Sequence, residues 1–163
     1  MSSALELILA GVVAQIATVP GVTSAKAVPA SQLFDKPAKE GMDVRVATLP
    51  PSYPGAVVSV NEDEIHVEDV RQSGSTSVVL YRVAVYAAIY ATSDGTVEAA
   101  AQKLVWQIGQ AVDLAMMIFV PYVPNVATRQ LEPAGFEPIV VDPTMYGLLM
   151  KWWARYQLVS SIS

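Results

Sequence analysis

Apolar residues recur at helical spacing from the start of the chain. Leu5, Ile8, Leu9, Val12, Val13 and Ile16 fall on one side of a 3.6-residue turn and predict the core stripe of a helix running to about Thr18. Ser3-Ala4-Leu5-Glu6 reads as a capping box, in which the Ser3 hydroxyl accepts from the Glu6 amide and Glu6 reaches back. Val19-Pro20-Gly21 ends the helix. Its other side is Leu7, Ala10, Gly11, Ala14 and Ala17, small and apolar where a solvated face would carry charge. Close packing by another surface is expected there.

A period of two takes over downstream. Residues 22–28 can form a short strand, closed by Pro29. The segment 30–54 has several prolines and no sustained period, and reads as a long loop with at most a short strand near Val44 to Ala47. Loops of that length inside a compact domain are usually functional or ordered by a partner. Ala56 to Val60 and Glu64 to Arg71 predict strands around a turn at Asn61 to Asp63, and Gln72 to Ser75 predicts a second turn. Thr76 to Ala91 is a long strand rich in Val and Tyr. Val79, Tyr81, Val83, Val85 and Ile89 line one face; Val78, Leu80, Arg82, Ala84, Tyr86, Ala88 and Tyr90 line the other. Neither face is polar, so both are expected to be at least half covered.

After a turn at Thr92-Ser93-Asp94-Gly95, a helix is expected from about Val97 to Phe119. Its stripe is Val97, Ala101, Leu104, Val105, Ile108, Val112, Ala115 and Phe119, and Pro121 and Pro124 stop it. Strands follow near Val126 to Leu131 and Glu137 to Val141. The closing strand, Leu148 to Val159, alternates: Met150, Trp152, Ala154, Tyr156 and Leu158 face one way, Lys151, Trp153, Arg155 and Gln157 the other. This order predicts one α+β domain over residues 1–163, a mainly antiparallel sheet with two principal helices packed on it.

Composition changes the picture in one respect. Of 163 residues, 53% are hydrophobic and only 15% charged, against roughly 25% charged in ordinary soluble domains. A lone subunit so poor in charge has difficulty covering its surface, so self-association or a membrane is implied. A span needs about 20 consecutive apolar residues. The run from Leu7 to Val19 is interrupted by Gln15, and that from Val97 to Val120 carries Glu98, Gln102, Lys103, Gln107, Gln110 and Asp113. No basic residue precedes the first apolar run, as one would in a signal peptide. A net charge of −5 argues against general nucleic-acid binding. The absence of cysteine removes disulfides, thiolate nucleophiles and thiolate metal sites, and suits a cytoplasmic product.

Candidate chemistry is sparse. His66 is the only histidine, and there is no G-x-S-x-G elbow, no phosphate loop and no G-x-G-x-x-G. The expectation is a protein without catalytic activity or required cofactor. One cluster could act as a site. In the run from Glu62 to Asp69, strand alternation puts Glu64, His66 and Glu68 on one face, a set able to hold a divalent metal. The simpler reading is a strand with Ile65 and Val67 in the core and its polar face in water. A third is electrostatic: a ring of such strands would present an acidic wall along which DNA phosphates slide. Trp106 falls among Lys103, Gln110 and Asp113, and Trp153 beside Lys151 and Arg155. Each is either half covered by a loop or an interface anchor, since Trp is enriched in binding hot spots. With Leu7, Ala10 and Ala14 they form the expected self-association surface.

Several pieces together resemble the tail terminators of tailed bacteriophages and related neck and tail-completion proteins. They are the first helix ending in Val19-Pro20-Gly21-Val22, the strand from Tyr81 to Ala91, the turn Ser93-Asp94, the helix with Ala99-Ala100-Ala101 and Leu104, and the closing aromatic strand. The resemblance implies a virion protein of the tail or neck, assembled in the host cytoplasm as a ring, usually a hexamer. Such a ring caps the tail tube, stops its polymerisation and offers a face to the head connector, while DNA passes through the lumen without sequence-specific binding. It carries over no functional residue. The alternatives are a head–tail connector or stopper subunit and, in a different class, a small α+β enzyme or ligand-binding domain.

Overall fold

The computed structural model describes residues 3–33, 49–92, 98–142 and 145–161. Helix α1 (Ala4–Ala17) starts as its capping residue dictates: Ser3 Oγ accepts from the Glu6 amide at 3.2 Å. Ile8, Val12 and Ile16 are buried, and Leu5, Leu9 and Val13 pack at the margin. Strand β1 (Ser24–Ala27) runs parallel to β2 (Gly55–Ser73). Between them a short helix, α2 (Ala30–Leu33), stands where a loop was expected. The strand expected near Val44 to Ala47 lies outside the described residues.

The turn expected at Asn61 to Asp63 does not interrupt β2, which is continuous. Its register against β3 (Thr76–Thr92) skips between Asn61 and Ile65, and again between Val67 and Asp69. Asn61 makes this possible. Its Oδ1 accepts from the Asp63 amide and its Nδ2 donates to the Glu64 carboxylate, so two polar groups of the extra residues find partners within the strand. A bulge bends a strand without ending it. The tight connection between β2 and β3 uses Gly74 at φ 60°, a conformation glycine adopts without strain.

Strand β3 pairs antiparallel along its whole length with β6 (Met145–Ser161). The far side of β6 is taken by β4 (Ala127–Thr128) and β5 (Glu132–Asp142). β4 is thus a fragment of the strand expected over 126–131, and β5 begins at Glu132 rather than Glu137. Pro133 and Pro138 are tolerated in β5 because it is an edge strand. The sheet runs β1-β2-β3-β6-β4, with β5 also on β6, and only β1 and β2 are parallel.

Helix α3 (Glu98–Met117) buries Ala101, Val105, Ile108, Val112 and Met116. Leu104, expected in this stripe, is 36% exposed, and Met116 is buried more deeply than Ala115. The stripe is centred on Val105, Ile108 and Val112, which leaves Leu104 at its margin. Val97 and the turn before it lie outside the described residues. α1 and α3 cover the same face of the sheet, over Val83, Val85, Ala87 and Ile89 of β3. The opposite face is covered near Ala84, Tyr86, Ala88 and Tyr90 by Val28 and Leu33, with Leu49 and Tyr53 at the margin. From Val83 to Ala91 both faces of β3 are buried, and from Thr76 to Arg82 both are half-covered, as its even hydrophobicity predicts, and the fold is α+β.

Candidate interaction surfaces

On the face away from α1 and α3, the middle of the sheet carries a network of paired charges. Lys151 Nζ on β6 donates to Glu64 Oε2 on β2 at 2.8 Å, across β3. The Tyr86 hydroxyl and Asn61 Nδ2 both donate to the other Glu64 oxygen. Arg155 Nε donates to both Glu68 oxygens at 3.1 and 2.9 Å, and its guanidinium also reaches Glu132 on β5. Arg82 lies 4.5 Å from the Trp153 ring centroid and Lys151 4.4 Å, a double cation–π contact, and His66 meets the same ring edge-on.

This geometry decides what the cluster can do. Glu64 and Glu68 are each engaged by a cation from another strand, and His66 packs on Trp153. Among the described residues, no three acidic or histidine side chains stand close enough to share a metal. Burial works to raise the Glu64 pKa, but the bonds from Lys151, Tyr86 and Asn61 outweigh it and hold the carboxyl below its ordinary range. The Arg155 hydrogen bonds hold Glu68 down in the same way. The network staples β2, β3, β6 and β5 together. Glu64, Glu68 and Glu132 are matched by Arg82, Lys151 and Arg155, while Glu62 and Asp63 of the acidic run are exposed. Trp153 is half-buried within it and packs against two cations.

Trp106 is placed differently. It is 39% exposed on the flank of α3 that faces β5, and its ring stands edge-on to Phe136 at 5.4 Å between centroids. The two rings bound a groove of about 530 Å³ with Leu148 and Met150 on its floor and Lys103, Gln110 and Asp113 at its rim. Asp113 has a structural task as well, accepting from Nε1 of the fully buried Trp152 at 3.1 Å. Phe136, 62% exposed, carries little sequence signal, because Pro133, Gly135 and Pro138 break the alternation around it.

Of the expected α1 surface, Ala10 and Ala14 are exposed, whereas Leu7 is half-buried against the core. At Gly11 there is close packing within the subunit: a Cβ there would lie 3.1 Å from the Phe119 ring. Phe119 belongs to the exit of α3, where Leu114, Met117, Ile118, Val120 and Tyr122 are all exposed, Ile118 by 75% and Tyr122 by 80%. The sequence does carry a sign of this patch, since residues 114–128 contain no charged side chain.

No family model matches the chain, and no curated protein matches it. Among solved structures, a chain from the virion of the native gene transfer agent (GTA) particle matches with a TM-score of 0.51, covering 96% of this chain and 100% of that one. The two chains share a fold. At 16% identity the likeness is one of architecture, and it extends from end to end of both chains.

Proposed function

We propose that this protein is a structural subunit of a phage-like virion, and within that class a tail terminator: a ring, hexameric in the first instance, that caps the tail tube and joins it to the head connector. The observation that carries the reading is the end-to-end correspondence with a chain of a gene transfer agent virion. A match confined to a widespread substructure would leave part of one chain uncovered. The surface supports the same reading. The exit of α3 and the Trp106–Phe136 groove leave apolar area in water that assembly would remove. Glu64 and Glu68 pair with cations of neighbouring strands, and the proposed mechanism is steric: the subunit occupies an otherwise open-ended contact and ends it.

Electron microscopy of the purified protein, with mass measurement in the presence and absence of assembled tail tubes, tests this. Closed rings with a lumen wide enough for duplex DNA, or rings formed only on tube ends, are the expected result. A monomer under both conditions would overturn it.

A further inference from the structure

A second groove, of about 520 Å³, lies where the first turns of α1 meet the bulge of β2. Leu5 and Leu9 wall it, and the buried Val60 forms its floor. Its rim is acidic: Glu6 comes from α1, and Glu62 and Asp63 come from the bulge. All three are exposed. Glu64 and Glu68 are paired with Lys151 and Arg155, whereas no described Lys or Arg forms an ion pair with Glu6, Glu62 or Asp63. Lys26, on the neighbouring strand β1, is in register with Val57, whose side chain belongs to the opposite face of the sheet. The backbone is open as well. β1 ends at Ala27, opposite Val58, and among the described residues no strand continues its line along β2.

We propose that this groove takes an extended segment of a partner protein that carries Lys or Arg among apolar residues. Charge complementarity selects the occupant. The α1 N-terminus bears about half a positive charge, and Glu6 in the first turn already offsets it, so Glu62 and Asp63 set the field in the groove. Apolar walls concentrate that field. A second copy, at net charge −5, brings the wrong sign. A Lys or Arg fits both parts of the site, because its aliphatic stem covers apolar surface while its charged head reaches the rim. The open edge of β2 favours an extended backbone, which adds to a sheet by strand pairing. Carboxylates on an edge repel most strands, and a cationic strand is the one they attract. This inference does not rest on the ring.

The probe is a dye-labelled, end-blocked peptide of alternating leucine and lysine, titrated into the full chain. Saturable binding is expected, with amide shifts at Leu5, Leu9 and Asn61 marking the site. The double variant Glu62→Gln, Asp63→Asn should bind about five-fold or more weakly, with an unchanged melting transition because both side chains are exposed. A peptide of equal charge with serine in place of leucine should bind about ten-fold or more weakly. Equal binding of the two peptides would reduce the effect to unspecific charge and overturn the proposal. So would shifts confined to another surface, or the absence of saturable binding. If the double variant instead loses self-association in sedimentation, the occupant is a second copy and the proposal is wrong. None of these peptide results bears on whether rings form, so the assembly reading stands or falls separately.

Discussion

Glu64 sits where three donors converge, and its ionised form is the one they stabilise. The sign of the resulting pH dependence follows from the direction of the shift. A carboxyl held below its ordinary value of 4.5 in the folded protein contributes stability that is fully present above that pH and is lost as pH falls through the folded value. Glu68, held down by Arg155, acts in the same direction. The urea midpoint is therefore expected to fall as pH drops below about 4.5, and Glu64→Gln should flatten that fall while lowering the midpoint at neutral pH. Equal pH slopes for the two proteins would show that the three bonds do not favour the charged form. Trp106 offers a second test at this scale. Its partial exposure means Trp106→Ala should cost about 1–2 kcal/mol of subunit stability, less than the 3–5 typical of a fully buried ring. Its loss from an interface should cost about 2 kcal/mol or more of association. Thermal melting of the subunit and a concentration series for assembly separate the two. A large fall in melting with normal assembly would assign Trp106 to the core.

At the scale of elements, the seating of α3 on β6 depends on Gly109. A Cβ there would overlap Leu148 Cδ2, and Leu148 is itself buried. Two effects oppose each other in Gly109→Ala. Helix propensity favours alanine by about 1 kcal/mol, while forcing the buried Leu148 side chain out of its contact costs typically 1–3 kcal/mol. Overpacking should win, because the helix is pinned on both sides of the contact by Val105, Ile108 and Val112 and cannot lift at one residue. The expected result is a lower melting temperature with unchanged far-ultraviolet helicity; a rise in melting temperature would mean Leu148 finds another rotamer at little cost. The same element shows where periodicity is a weak guide. Leu104 and Val105 are both apolar, and spacing alone does not say which of them the sheet will cover.

For the whole molecule, the distribution of charge predicts how assembly responds to salt. The charged network is closed within the subunit, and residues 114–128, which include the exposed α3 exit, carry no charged side chain. Raising salt from about 0.05 to about 0.5 M shortens the screening length several-fold. Assembly that used the acidic residues as ion-pair partners would weaken over that range. Contact through the α3 exit should hold or strengthen, because screening reduces repulsion between subunits of net charge −5. Sedimentation at both salt concentrations, at matched protein concentration, gives the answer, and dissociation at high salt would redirect attention to Glu62, Asp63 and Asp69.

What the chain determines by itself is local. The Ser3 cap, the stripe of Ile8, Val12 and Ile16, the even hydrophobicity of 76–91 and the alternation of 148–159 are each read from a few neighbouring residues, because helix and strand periods recur within one or two turns. The α+β class follows from their order. What only the tertiary structure decides is which side chains from distant segments meet. Asn61 to Asp63 has the composition of a turn, yet β3 continues alongside it, so the polar residues become a bulge. Glu64, His66 and Glu68 share a face as alternation requires, but Lys151 and Arg155, more than eighty residues later, engage both carboxylates and turn a candidate ligand set into a staple. Trp153 and Trp106 look alike in sequence, each beside charged residues. One is enclosed by cations from β3 and β6 and the other walls an open groove with Phe136. That difference is set by the pairing of β6 with β3 on one side and β5 on the other, and strand pairing over such separations leaves no periodic trace in the sequence.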